Sequence, residues 1–185
     1  TAMVPAPDGT GLATDVYCPL PWCLGRWPVV LQRTPYGKGG LGETCLLINL
    51  LGYACVAQDE RGRGGSAGEY TGYRDEGPDG RATLEWLAAQ PWCDGNVGTF
   101  GASALGMTQY AMAPSAPAAL KCQVPIVGTA DFYHHAVYQG GTLRYGLAWN
   151  WLHGLGADAL YEQLVQHRLW GGWWEEWAVA PRVGE

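Results

Sequence analysis

Serine is scarce in this 185-residue chain. Ser66, Ser103 and Ser115 are the three present, so a nucleophilic serine must come from that short set. Lysine is scarcer still, at Lys38 and Lys121, and no run of basic residues occurs. Lys plus Arg reaches 11 against 17 for Asp plus Glu, a formal charge of −6. A groove that tracks phosphates or an anionic membrane surface needs the opposite balance, so neither nucleic acid nor membrane is an expected partner. Long apolar runs are lacking too. The longest, 45–57, is broken by Asn49 and Gly52 and falls short of a bilayer span. The first residues show no charged segment followed by an apolar one, so no export signal is visible and the expected location is cytoplasmic. No C-x-x-C pair occurs among the six cysteines, at 18, 23, 45, 55, 93 and 122. Their even number would permit three disulfides, but they lie mostly in apolar segments. Buried free thiols in a reducing compartment are the expectation, with no metal and no cofactor.

What is present is a 48 % hydrophobic composition with 28 glycines, enough for a packed core with many tight turns. Short β-type runs alternate with helical patterns, the signature of a parallel sheet with crossover helices. Strands are expected at 12–17, 29–33, 53–58, 96–100 and 121–127, and helices at 43–51, 78–90 and 104–112. Pro78 suits a first helical turn and Pro91 a stop. Beyond residue 130 the chain turns aromatic and glycine-rich, with a helix expected at 161–168. The boundary divides a core, 1–130, from an aromatic segment, 131–185. Trp170, Trp173, Trp174 and Trp177 crowd its tail. So much indole must cover something, and a homo-oligomer formed over this edge is the expected arrangement.

In an open α/β sheet, ligands bind beyond the carboxyl ends of the strands. Four loops should therefore converge: RTPYGKGG, DERGRGGSAGEY, GASALG and GTADFYHH. In the third, a strand runs straight into Gly101-Ala102-Ser103 and a helix begins at once. That is the pattern of a nucleophile elbow, a sharp turn that lifts a serine oxygen above the sheet with helix N–H groups beneath it. The pattern alone leaves an ordinary helix-capping serine open as the other reading. The usual motif has glycine two residues after the serine; here Leu105 stands there and the glycine is Gly106. In the second loop, Gly62-x-Gly64 is a weak match to a dinucleotide fingerprint, since no amphipathic helix follows. Arg61, Arg63 and Asp59 are expected instead to brace that turn against carbonyls and acids such as Asp75 or Glu76. Ser66 in this turn and Ser115 between prolines are poor nucleophile candidates.

The segments DGTGLATDVY, RTPYGK, GYACVAQDERGRGGSAGEY, RDEGPDGRATLEWLAAQPWCDGNVGTFGASALG and TADFYHHAVYQGG resemble one group of α/β-hydrolases. This is the S15-like, CocE/NonD group of cocaine esterases, X-Pro dipeptidyl-peptidases, α-amino-acid ester hydrolases and glutaryl acylases. The likeness runs over about residues 8–145. The group's elbow reads G-x-S-Y-x-G, which accounts for the later glycine and implies that Ser103 is the nucleophile. It also implies that the Tyr36 hydroxyl and the backbone N–H of Ala104 hold the oxyanion. Ala104 departs from the group's tyrosine; the N–H survives, but packing behind the elbow is reduced.

The resemblance implies a partial α/β-hydrolase, a mostly parallel sheet lacking the last core strands, followed by the start of a helical cap. The triad runs Ser, acid, His in this fold, and the group places the last two on late strands that have no counterpart here. A local substitute would be Asp131 with His134 or His135, which leave the sheet at its active edge, the other reading being that these polar residues simply open the cap; His153 and His167 sit inside helical patterns. The resulting expectation is a serine esterase acting on small acyl esters through an acyl-enzyme on Ser103. An amide hydrolase or X-Pro dipeptidyl-peptidase is the alternative, and a non-catalytic assembly subunit the reading from another class.

Overall fold

The computed structural model describes residues 1–20 and 23–179; the last six residues of the Trp-rich tail fall outside that range. Six strands form one sheet: β1 (Ala2–Pro5), β2 (Gly11–Tyr17), β3 (Trp27–Thr34), β4 (Ala54–Asp59), β5 (Cys93–Ala102) and β6 (Leu120–Ile126). Their spatial order is β1-β2-β4-β3-β5-β6. The β1–β2 and β2–β4 pairs are antiparallel, whereas β3–β4, β3–β5 and β5–β6 are parallel. The parallel part reads as expected from its sequence. Every residue of β4 is buried, as for a strand covered by helices on both faces. Parallel neighbours require crossovers, and α1 (Gly42–Leu50), α2 (Glu76–Ala88) and α3 (Ala104–Met112) provide them.

Pro78 falls in the first turn of α2, where no N–H is needed. Leu84 and Leu87 on its inner face pack with Val29, Leu31, Val56, Val97 and Met112 into one core. Beyond β6, a π-helical turn at Tyr133–Val137 leads to α4 (Tyr145–Gly154), α5 (Asp158–Gln166) and the single turn α6 (Gly172–Glu175). These elements make a second core of Phe132, Val137, Leu152, Leu164 and Trp174, which Tyr73 and Ala104 join from the sheet side. Trp174 and Trp177 are buried within the chain. Trp174 lies edge-on to Tyr133 at 5.0 Å, and Trp177 stacks on Phe132 at 5.2 Å. Two of the four tail indoles are thus covered within the chain, whereas Trp170 is exposed. Among the described residues no helix is long and apolar enough to cross a membrane.

The cysteine expectation is corrected. Cys18 pairs with Cys23 and Cys45 with Cys55, while Cys93 (buried) and Cys122 (exposed) are free. Packing of α1 against β4 brings Cys45 to a Cα–Cα distance of 5.1 Å from Cys55, within the bridging range, though spacing along the chain does not reveal it. Disulfides persist in oxidising compartments, so this pairing weighs against the reducing setting expected from the thiols. Alkylation with mass readout is predicted to find two thiols in unreduced, denatured protein, the free pair of this structure. Modification of all the cysteines without reductant would contradict the pairing.

Candidate active site

The site grows from the junction of β5 and α3. Ser103 links them with φ 57° and ψ −120°, a conformation that costs a residue with a side chain about 1–3 kcal/mol and persists only when its surroundings enforce it. Here they do. The Ser103 N–H donates to the Ile126 carbonyl at 2.8 Å, and the Ser103 carbonyl accepts from the N–H groups of Gly106 and Met107 at 2.9 and 3.0 Å. A Cβ on Gly106 would lie 3.2 Å from the Ile126 oxygen and 3.5 Å from Gly128 Cα. The late glycine therefore marks where α3 crosses the end of β6. Behind the turn, the buried Gln109 accepts from the Thr99 hydroxyl at 2.8 Å and donates to the carbonyls of Leu105 and Gly101 at 3.0 and 3.3 Å. Sequence reasoning missed this residue; the available signal was one amide side chain in a helix of small and apolar residues.

The turn leaves Ser103 exposed and Ala104 buried. The Ala104 N–H is the first of α3 and has no intrahelical acceptor. Ser103 opens onto a cavity of about 280 Å³ whose walls include Tyr73, Met107, Phe132, Val137, Leu147 and Trp151. Thr129 and Arg144 also line it. Tyr73 and Trp151 stack at 5.9 Å, joining the sheet-side loop to α4.

Tyr36 arrives from the loop after β3. Its N–H donates to the Thr34 hydroxyl at 3.1 Å, and the Lys38 N–H donates to the Asp59 carboxylate at 2.5 Å. The other Asp59 oxygen accepts from the Gly65 N–H at 2.9 Å, so one carboxylate ties the tyrosine loop to the glycine-rich turn. The half-exposed Tyr36 hydroxyl has the side chains of Ser103 and Trp151 as hydrogen-bonding neighbours. Partial burial pushes the phenol above its ordinary range; these two neighbours draw it back, and the nearby Glu60 pushes it further up. It is a neutral donor at physiological pH.

The glycine-rich turn is braced, but by other acids than expected. Arg61 pairs with Asp79 at 2.7 Å and with Asp8 at 2.6 Å, and its hydrogen bond holds the Asp8 carboxyl far below the usual carboxylate range. Arg63 donates to the carbonyls of Pro35 and Leu155 at 3.0 and 2.5 Å. Asp75 instead accepts from Thr71, and Glu76 pairs with Arg33 at 2.6 Å. Ser66 is structural: its hydroxyl donates to the Asp59 carbonyl at 2.8 Å. No helix follows the glycines until α2.

The imidazoles lie elsewhere. His134 meets Asp131 at 2.7 Å and sits 5.1 Å from the Trp170 ring; His135 meets the Thr129 hydroxyl at 3.1 Å. His153 pairs with Asp158 and His167 stacks on Trp173. The structure brings Asp131 and His134 together but joins no imidazole to Ser103 by a hydrogen bond, and neither His134 nor His135 lines the cavity. Among the described residues no group of His, Cys, Asp or Glu could hold a metal ion.

A mostly parallel sheet with crossover helices, a strained serine between strand and helix, and a second, helical core packed beside them together mark a partial α/β-hydrolase fold. The chain belongs to the X-Pro dipeptidyl-peptidase (S15) family, whose model matches residues 8–177. Over 163 residues it is 42 % identical to the cocaine esterase of Rhodococcus sp. (strain MB1 Bresler), a match covering 83 % of this chain and 28 % of that protein. A CocE/NonD family hydrolase from Staphylococcus aureus superposes with a TM-score of 0.84 at 26 % identity, over 98 % of this chain and 38 % of that one. An aminopeptidase from a marine sediment Thaumarchaeota archaeon shares the fold, with a TM-score of 0.78 at 22 % identity, over 97 % and 39 % of the two chains. The chain thus spans about a third of the length of the relatives it matches.

A methyl group added at Gly101 would meet Leu105 Cβ at 2.4 Å. Gly101→Ala is predicted to lower stability by about 1–3 kcal/mol in urea unfolding and to reduce the reactivity of Ser103 toward an active-site phosphonate. Wild-type values for both would show that the turn is not held as described.

Proposed function

We propose that this chain carries the nucleophile and oxyanion hole of a serine hydrolase that cleaves carboxylic esters of small acyl groups. The observation that carries the reading is Ser103 itself, exposed in a strained conformation at the mouth of an apolar cavity, beside Tyr36. Its oxygen attacks the ester carbonyl, and the oxyanion is stabilised by the Tyr36 hydroxyl and the Ala104 N–H, donors fixed before the reaction begins. Collapse of the oxyanion breaks the ester C–O bond, the alcohol leaves with the proton that a general base took from Ser103, and the acyl group stays on Ser103 until water hydrolyses it to the free acid.

The general base is proposed to come from the part of the family's fold that this chain does not span, in the order Ser, acid, His. Two observations support this over the local candidates: neither His134 nor His135 lines the cavity onto which Ser103 opens, and each imidazole is hydrogen-bonded to a group other than Ser103. Arg144 on the wall of an otherwise largely apolar cavity suits a neutral or electron-rich acyl group. It repels the N-terminal ammonium of a dipeptidyl-peptidase substrate, so the ester reading is preferred to the peptide one.

A fluorophosphonate is predicted to modify Ser103, and Ser103→Ala to abolish the modification. Label retained in that variant, or found on Ser66 or Ser115, sinks the assignment. Tyr36→Phe is predicted to reduce kcat for ester hydrolysis by about 100-fold with little change in KM, the signature of an interaction made in the transition state. An unchanged kcat removes the tyrosine from the hole. His134→Ala and His135→Ala are each predicted to leave turnover unchanged; a collapse in either would restore a local base.

A further inference from the structure

Glu60, the residue after β4, is fully buried at 0 % exposure, and neither carboxyl oxygen has a hydrogen-bond partner among the described residues. A buried carboxylate in that condition is costly, whereas a neutral carboxylic acid is tolerable. The two cations whose charge acts on it, Arg33 and Arg63, make no hydrogen bond to it, and Arg33 Nη2 is left without a partner among the described residues. Arg33 pairs with Glu76 at 2.6 Å, and Arg63 donates to the Pro35 and Leu155 carbonyls. The groups that face Glu60 are Arg33 on β3, Glu76 on α2, Asp59 on β4 and Arg63 in the turn that follows, together with the phenols of Tyr36, Tyr70 and Tyr73. Burial first, then the charge of Glu76, push its carboxyl well above the carboxylate range. Glu76, also raised by burial but to about 7, takes the negative charge first because Arg33 lies against it.

The placement links this acid to the oxyanion side of the site. Thr34 receives the Glu60 N–H on its carbonyl at 3.0 Å and the Tyr36 N–H on its hydroxyl at 3.1 Å. Glu60 therefore sits directly behind the tyrosine loop, with Tyr73 of the cavity wall on the same side. We propose that Glu60 is a positioning residue of this site, a neutral acid sealed behind Tyr36 that keeps the wall facing the oxyanion free of negative charge, and that its ionisation weakens the oxyanion hole. This rests on the Ser103–Tyr36 reading above. The sign follows from electrostatics: a carboxylate behind the donor opposes the negative charge that develops in the transition state, so hydrolysis declines as Glu60 loses its proton.

The test reads Glu60 and Tyr36 without requiring turnover, then adds turnover. Infrared difference spectra at neutral pH should show a protonated-carboxyl band that Glu60→Gln removes. In protein carrying tyrosine labelled with ¹³C at Cζ, with Tyr36 assigned through Tyr36→Phe, the Tyr36 titration should move to lower pH in Glu60→Gln. Glu60→Leu, which suits the apolar surroundings should the amide disturb the fold, should lose the same band and give the same shift. With a neutral ester as substrate, kcat/KM of the wild type should decline on the alkaline side and both variants should lose that decline. No change in the infrared band, or an unmoved Tyr36 titration in both variants, overturns the proposal even if the ester is hydrolysed. Both spectroscopic changes in a protein that hydrolyses no ester would support the Glu60 assignment and overturn the esterase reading instead.

Discussion

One turn constrains the rest of this structure: the passage of the chain from β5 through Ser103 into α3. A residue with a side chain adopts a positive φ there, and a strand, a helix and a neighbouring strand end hold it in place. Strain of this sort is unstable in isolation. It survives because the serine N–H and carbonyl are both satisfied, because Gln109 ties the strand end to the first turn of the helix, and because Gly106 lets α3 lie close over β6. The same arrangement that resolves the backbone's hydrogen bonding leaves the hydroxyl outward and the Ala104 N–H uncommitted.

Around that turn the molecule arranges charge with unusual economy. Asp59 holds the tyrosine loop and the glycine-rich turn together, Arg61 clamps Asp8 and Asp79, and Arg33 neutralises Glu76 inside the core. Such buried pairs are weak evidence of stability, since desolvation offsets much of the Coulombic gain. Asp59 and Arg63 fix the loop that carries Tyr36, and the helical core packed through Tyr73, Trp151 and Phe132 builds the cavity wall beside Ser103. The cavity beside Ser103 has largely apolar walls, against which a charge is felt more strongly than in bulk water.

Much of this was legible in the sequence, for identifiable reasons. The parallel strands announce themselves as apolar runs ended by turn residues, and α3 follows so directly on NVGTF that both its ends were readable. The strand β1 was not, because AMVP is four residues long with a proline at its end. The pattern around His153 reads as helical, but the bounds of α4 were hidden by glycines that carry little helical signal. Ser103 could be named from pattern and from the scarcity of serine, whereas Tyr36 was legible through resemblance alone, since nothing in RTPYGK shows where a phenol points. Glu60 and Gln109 were not legible: a polar residue in a turn or short helix looks solvated until the fold shows what covers it. Cys45 and Cys55 likewise became partners only when α1 lay against β4.

The most direct measurement is an experimental structure of the phosphonylated protein. The account predicts the phosphorus bonded to the Ser103 oxygen, with one phosphoryl oxygen within hydrogen-bond distance of both the Tyr36 hydroxyl and the Ala104 N–H. An adduct on another residue, or a phosphoryl oxygen turned away from both donors into solvent, would contradict it.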